Sequence, residues 1–207
     1  MTDVNTAPAP PRTLVIACGA LARELLAVIE ANRLTHLDVT CLPGILHNRP
    51  EKIPGEVRRK IRANRDRYDE ILCLYGDCGT GGLLDEVLRE EGVARIEGAH
   101  CYEFFMGGPD FAALADAEPA TFYLTDYLVR HFERLMIKGL GLDRFPELLP
   151  MYFGNYKRVV YLAQIEDPAL DAKARRAAER LGLAYEKRVT GLGGIEEFLE
   201  RAAAKQS

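Results

Sequence analysis

Residues 70–92 read EILCLYGDCGTGGLLDEVLREEG, and three kinds of segment follow one another within them. Glu70 to Tyr75 is a short apolar run of the kind that makes a buried strand. LLDEVLREEG has helical spacing and a stop at Gly92. Between them, YGDCGTGG packs Gly76, Gly79, Gly81, Gly82 and Cys78 into eight residues. Glycine at that density costs backbone entropy on folding. Either something approaches this backbone closely, or a cysteine is held on a tight turn. The unit is strand, turn, helix.

The same alternation extends in both directions. TLVIAC (13–18) predicts a strand, and ALARELLAVIEANRL (20–34) a helix with Leu21, Leu25, Val28 and Ile29 on one side. LDVTCLP (37–43) predicts a second strand, and KIPGEVRRKIRANRDRY (52–68) a helix starting near Pro54. VARIEGAHC (93–101) reads as a fourth strand ending at His100 and Cys101. TFYLTDYLVRHFERLMIKGL (121–140) reads as mostly helical, with Thr125 as an N-cap. LDRFPELLPMYFGNY (142–156) is helix and turn. RVVYLAQI (158–165) and LAYEKRVT (183–190) are strands, followed by helices over 167–182 and 193–205. Alternating strands and helices imply an α/β protein with a Rossmann-like, open, mostly parallel sheet and helices on both faces. Residues 1–12 read as a disordered tail and 13–207 as one α/β domain, with a division into lobes 13–118 and 119–207 as an option.

The chain has 207 residues, 48% of them hydrophobic and 28% charged, enough to build a core. A formal net charge of −4 argues against nucleic acid as a partner. The basic run Arg58 to Arg67 sits among Glu56, Asp66, Asp69 and Glu70, and reads as a solvated helix face. No run approaches the length of a membrane span. The apolar run before Cys18 is too short for a signal peptide, and no basic segment precedes it. The protein is therefore expected in the cytoplasm, where its five cysteines stay reduced.

The element order gives those cysteines a geometry. Cys18 ends the first predicted strand, Cys78 follows the third, and Cys101 ends the fourth beside His100. In an open parallel sheet, ligands bind outside the carboxyl ends of the strands. Three distant cysteines are thus expected on one edge, while Cys41 and Cys73 belong to the core. Converging thiolates suit zinc or an iron–sulfur cluster. His100, or His47 from LPGILHNRP, is the candidate fourth ligand, and Asp77 or Glu103 would supply an oxygen or a supporting hydrogen bond. The alternative is that these cysteines are packed or merely reactive, since cysteine is often buried and no CxxC pair is present.

YGDCGTGG also admits an anion-binding reading, in which Gly76, Asp77, Gly79, Thr80 and Gly81 form a ligand-binding turn ahead of a helix. No lysine follows its last glycine, and G-x-G-x-x-G is incomplete, so neither nucleotide motif is met. His131 lies on the apolar side of its helix with Tyr127, Leu128 and Leu135, as a core histidine would, unless it faces a cleft. Tyr123, Thr125 and Asp126 are candidate ligand contacts, although a helix start explains the last two. TGLGG (190–194) is a second glycine turn before a helix, and YFGNY (152–156) reads as a packed loop. There is no G-x-S-x-G elbow, no H-E-x-x-H and no carboxylate pair at telling spacing.

CGALAREL (18–25), YGDCGTGG, GAHCYEFFMGG (98–108) and TFYLTDYL (121–128) together resemble the DUF1638 family, in the family's order, from about Cys18 to Gly193. The family's usual strand end is HDC-like. Here His100 and Cys101 are adjacent, so the resemblance carries Cys78 and Cys101 over more directly than His100. Members often accompany corrinoid-dependent methyltransferase systems for methylated amines and related one-carbon donors. The resemblance thus implies a metal-binding protein that serves corrinoid-linked metabolism, with a corrinoid protein or methyltransferase as partner. The other expectations are a small-molecule or anion-binding enzyme using the glycine turn, and a non-catalytic accessory protein for a methyltransferase.

Overall fold

The computed structural model describes residues 11–204 of the chain, and side chains as far as residue 201. Most of the expected tail, residues 1–10, lies outside the described residues. Arg12 is fixed: its N–H donates to Asp69 at 2.8 Å and its guanidinium pairs with Asp38.

Two all-parallel sheets carry the fold, an open α/β arrangement of Rossmann-like type. The first has strand order β2-β1-β3-β4, with β1 at Thr13–Cys18, β2 at Leu37–Leu42, β3 at Glu70–Leu74 and β4 at Ala94–Arg95. The order reverses between β1 and β3, so the crossovers leave in opposite directions from that point. Side chains alternate along each strand, and the two faces are covered separately. Val15, Ala17, Leu72 and Leu74 pack against α1 (Ala22–Ala31) on one side. Leu14, Ile16, Cys73 and Tyr75 pack against α2 (Ile53–Asn64) and α3 (Leu83–Glu91) on the other. The basic residues of α2 meet acids of α3: Arg58 pairs with Glu90, and Arg62 and Arg65 with Glu91.

β4 is much shorter than the predicted strand. After Arg95 the chain leaves the ladder to bond the glycine turn, and Cys101 does not end a strand. It opens α4 (Cys101–Met106), with His100 as the N-cap residue. α5 (Gly108–Ala117) then leads to the second sheet, ordered β5-β6-β7. β5 (Thr121–Thr125) was expected to be helix. It is instead held in register by β6 (Arg158–Ala163), Thr121 beside Arg158 through Thr125 beside Leu162. β7 (Ala184–Val189) completes the sheet. The predicted N-cap holds: Thr125 Oγ1 accepts the Leu128 N–H at 3.4 Å and starts α6 (Asp126–Phe132), which runs into a π-helical turn over Glu133–Lys138. α7 (Leu149–Phe153) follows, and Phe153 and Tyr156 of the YFGNY loop stack on Phe122.

α6 and α8 (Pro168–Leu181) cover one face of the second sheet, and Phe111 and Leu114 of α5 cover the other. The two sheets divide near residue 119, but the helices do not respect that line. α9 (Gly193–Ala204) returns to the first sheet, where Ile195, Phe198 and Leu199 join the core of α1 and α4. The second glycine turn thus serves to bring α9 onto α4. No helix among the described residues is long and apolar enough to cross a membrane.

Candidate functional site

The carboxyl ends of β1, β3 and β5 meet in one pocket between the two sheets. Its lining includes Cys18, Tyr75, Gly76, Cys78 and Cys101 from the first lobe, and Thr125, Tyr127, Leu128 and Met136 from the second. Three cysteines from separate segments therefore share a wall, as expected. Cys73 is fully buried in the core under α2 and α3, and Cys41 is half-buried against the core on the opposite face of the sheet.

Each thiol is positioned by backbone. Cys18 caps the short 3-10 turn after β1, with its Sγ 3.5 Å from the Ala20 N–H. Cys78 sits at φ 50°, a left-handed conformation that costs a non-glycine residue about 1–2 kcal/mol. Its N–H donates to the Ala99 carbonyl at 2.9 Å, and the Asp77 N–H to the Gly98 carbonyl at 3.3 Å. The segment before α4 is thus laid against the turn, which brings Cys101 to Cys78. Gly76 permits that approach, since a Cβ there would lie 3.1 Å from the Ala99 carbonyl oxygen. Arg95 fixes the same segment: it donates to the carbonyls of Ile96 and Gly98 at 2.8 and 3.0 Å and pairs with Asp85.

Burial raises the pKa of all three thiols, and neighbouring cysteines raise those of Cys78 and Cys101 further. Cys78 is pushed up to about 11 by burial and then by Cys18. Cys101 lies well above the ordinary thiol range, through burial and then Cys78 and Cys18. In Cys18, burial outweighs the hydrogen bonds from Ala20 and Tyr75 that favour the thiolate. The Tyr75 hydroxyl is buried beside Cys18 without a hydrogen bond of regular geometry. With no cation present, these are neutral thiols at pH 7.

The histidine at this pocket is His47, not His100. His47 lines the rim, exposed at its outer edge, and its pKa is lowered by the shielding of its inner edge and by nearby His100. His100 is exposed, stands outside the pocket lining and lies edge-on to Tyr102. Glu103 is also absent from the wall. Its carboxylate accepts from the N–H groups of Ala99 and His100 at 2.9 and 3.1 Å, which caps α4.

The glycine turn is closed on itself. Asp77 accepts from Thr80 Oγ1 at 2.5 Å, from the Gly82 N–H at 2.8 Å and from the Gly81 N–H at 3.1 Å. Burial alone would raise its pKa, but these bonds and one from Gly79 hold it below the usual range. The Thr80 and Leu83 N–H groups bond within the turn, and the Leu84 N–H reaches Thr80 Oγ1. Most N–H groups from Asp77 to Leu84 are thereby bonded within the turn or to the Gly98–Ala99 segment. Of the expected site residues Gly76, Asp77, Gly79, Thr80 and Gly81, only Gly76 lines the pocket, and the bonds within the turn hold Cys78 in place.

A second chamber adjoins the first and shares Ala20 and Tyr127 with it. It is lined by Gly19, Arg23, Glu24, Arg130 and His131. His131 faces this cleft, with its ring on Tyr127 at 4.7 Å. Of the other candidates, Asp126 is buried and accepts from the Tyr161 hydroxyl at 2.7 Å and the Gln164 N–H at 3.1 Å. Tyr123 belongs to an aromatic cluster with Tyr102 and Phe111. Arg23 and Glu24 were not anticipated. Their signal was present, because Glu24 falls on the same helical stripe as Leu21 and Val28.

The donors at the first chamber are soft and suit zinc or iron in kind. Among the described residues, however, no three His, Cys, Asp or Glu side chains already stand in metal-ligating geometry. The chamber has about 50 Å³ of water-accessible space, enough for an ion or a few waters and too little for a corrinoid or a nucleotide.

Fold and site together define an α/β protein of two parallel sheets with a cysteine-lined cleft at its strand ends. The family model for DUF1638, a protein of unknown function, matches residues 41–199, and the chain belongs to that family. The match takes in Cys78, Cys101 and TFYLTDYL but begins after CGALAREL. No curated protein matches the chain.

Proposed function

We propose that the interlobe chamber of this cytoplasmic protein is a thiol-based metal site, zinc in the first instance, serving corrinoid-linked one-carbon metabolism. The observation that carries it is the convergence of Cys18, Cys78 and Cys101 from three segments on one wall, with His47 at the rim. The strained Cys78 backbone adds support, because such conformations persist where surrounding structure holds a residue to a task. Closing the set around one ion calls for side-chain rotation of the thiols. A cation would reverse their protonation, since thiolate is the ligand form. Bound there, zinc supplies Lewis acidity to a thiol or amine acceptor.

The corrinoid itself would reside on a partner, a corrinoid protein or methyltransferase, because the chamber is too small for it. That link rests on the family's company alone. The test is the metal content and visible spectrum of anaerobically purified protein beside Cys78→Ser. About one zinc per chain, lost in the variant, supports the site. A brown chromophore assigns an iron–sulfur cluster instead. No metal in either sample overturns the metal reading.

The absence of a formed ligand set favours a second reading, in which the cleft binds a small organic molecule and the cysteines only pack. Ligand-induced stabilisation that survives chelation supports it. Co-purification with a methyltransferase, with unchanged stability in the cysteine variants, points to an accessory role.

A further inference from the structure

Glu24 is 7% exposed, and its Oε2 is buried without a hydrogen-bond partner. An orphaned acceptor of this kind is costly, and native structures rarely keep one without a use. It lines the second chamber, whose other charged groups are cationic or neutral. Arg23, on the same helix, has no carboxylate at ion-pair distance among the described residues. Arg130 reaches Asp126 only at 3.8 Å, and Asp126 is already engaged by Tyr161 and Gln164. Tyr127 and His131 complete the wall. The space is about 340 Å³, several times that of the thiol chamber.

The chamber thus offers two underused guanidinium groups and one unpartnered carboxyl within a single small volume. Guanidinium groups recognise a carboxylate by paired N–H donors. The free carboxyl oxygen asks for a donor on the same ligand, and an ammonium group a bond or two from the carboxylate meets both. We infer that this chamber binds a small zwitterionic amino acid, its carboxylate on Arg23 and Arg130 and its ammonium on Glu24. The shared wall at Ala20 and Tyr127 sets the remainder of that ligand toward the thiols. The inference stands on Glu24, Arg23 and Arg130, whether or not the cysteines hold a metal.

Calorimetric titration of the full chain with glycine, L-alanine, acetate and ethylammonium tests it. Glycine or alanine is expected to bind at least about tenfold tighter than acetate or ethylammonium, a difference of about 1.4 kcal/mol. Arg23→Gln, at an exposed position, should weaken the amino acid about tenfold or more without loss of fold. Glu24→Gln should erase the preference over acetate. Were a neutral Glu24 only donating to a carboxylate, acetate would bind the wild type as tightly as glycine, and the glutamine amide would change neither. Acetate binding as tightly as glycine, no amino-acid binding, or an unchanged preference in Glu24→Gln would each overturn the assignment. If Glu24→Gln does not fold, the glycine-to-acetate ratio and Arg23→Gln decide alone. Repeating the titration in Cys78→Ser keeps the two sites apart, because amino-acid binding should survive there while metal is lost.

Discussion

The Cys78 N–H donates to the Ala99 carbonyl at 2.9 Å, and Cys101 follows two residues later. With the Asp77 N–H on the Gly98 carbonyl, this backbone bond joins the turn after β3 to the start of α4. The pair of bonds explains how two cysteines far apart in sequence share a wall. Past Ile96, which still donates to Cys73 of β3, the carbonyls of Gly98 and Ala99 serve the turn.

Cys78 carries its thiol on a left-handed backbone, so its two smallest replacements should part company. Cys78→Ala keeps the strain at φ 50°, whereas Cys78→Gly removes it. Glycine adopts that conformation without a Cβ penalty. Despite its greater unfolded-state entropy, Cys78→Gly should be the more stable of the two by about 1 kcal/mol. Urea unfolding of both variants reads the difference, and an alanine variant at least as stable as the glycine one contradicts the strain.

Asp77 closes the turn with its carboxylate, and loss of that group should loosen the Cys78 scaffold. Asp77→Ala leaves the Gly81 and Gly82 N–H groups and the Thr80 hydroxyl without their acceptor, at about 2 kcal/mol. The native pKa lies below its ordinary value. The stabilisation is therefore complete above about pH 4, the unfolded value, and is lost as pH falls through the lower native one. Unfolding midpoints between pH 6 and pH 3 should show a steeper acid loss in the wild type than in Asp77→Asn. Parallel curves would show that the carboxylate is idle.

The three thiols reverse that sign. Their native pKa values are raised, so the folded state keeps its protons while the unfolded state releases them. Stability should be undiminished below about pH 8.5, the ordinary thiol value, and should fall as pH rises toward about 11, where Cys78 titrates. Cys78→Ala should flatten part of this decline. Alkylation of the metal-free folded protein by iodoacetamide should likewise be slow at pH 8, since only thiolate reacts. Rapid alkylation at that pH would mean that the thiols are less buried in solution than this arrangement holds them.

Much of this arrangement was readable from residue order. The apolar runs at 13–18 and 158–163 are strands buried on both faces, 37–42 is a half-buried edge strand, and Gly92, Thr125 and Asp167 cap helices by local chemistry alone. The convergence of Cys18, Cys78 and Cys101 followed from a parallel sheet with its ligand edge at the strand ends. β5 was not readable, because TFYLT runs without a break into a helical period and is a strand only through its ladder with β6. Its Thr-Phe-Tyr start was the available signal. His47 displaces His100 at the pocket because α4 begins at Cys101, and α9 crosses to the first lobe through packing that no local pattern records. The polar chamber joins α1 to α6, about a hundred residues apart, and only the misplaced charge of Glu24 on an apolar stripe hinted at it.

The lobes meet closely at Gly44, and this contact can be tested by a double-mutant cycle. A Cβ at residue 44 would stand 2.6 Å from the Tyr127 hydroxyl oxygen and 3.2 Å from the ring carbon that bears it. Tyr127 belongs to both chambers, so a side chain at 44 should push it off the wall they share. Gly44→Ala should cost about 1–2 kcal/mol through overpacking. Tyr127→Phe removes the atom nearest the new methyl, so the double variant should recover more than half of that loss. The coupling should exceed about 0.5 kcal/mol, the level at which neighbouring sites depart from additivity. Additive losses in urea unfolding would mean that the lobes part instead, and that the cleft is wider in solution than the Gly44–Tyr127 contact allows.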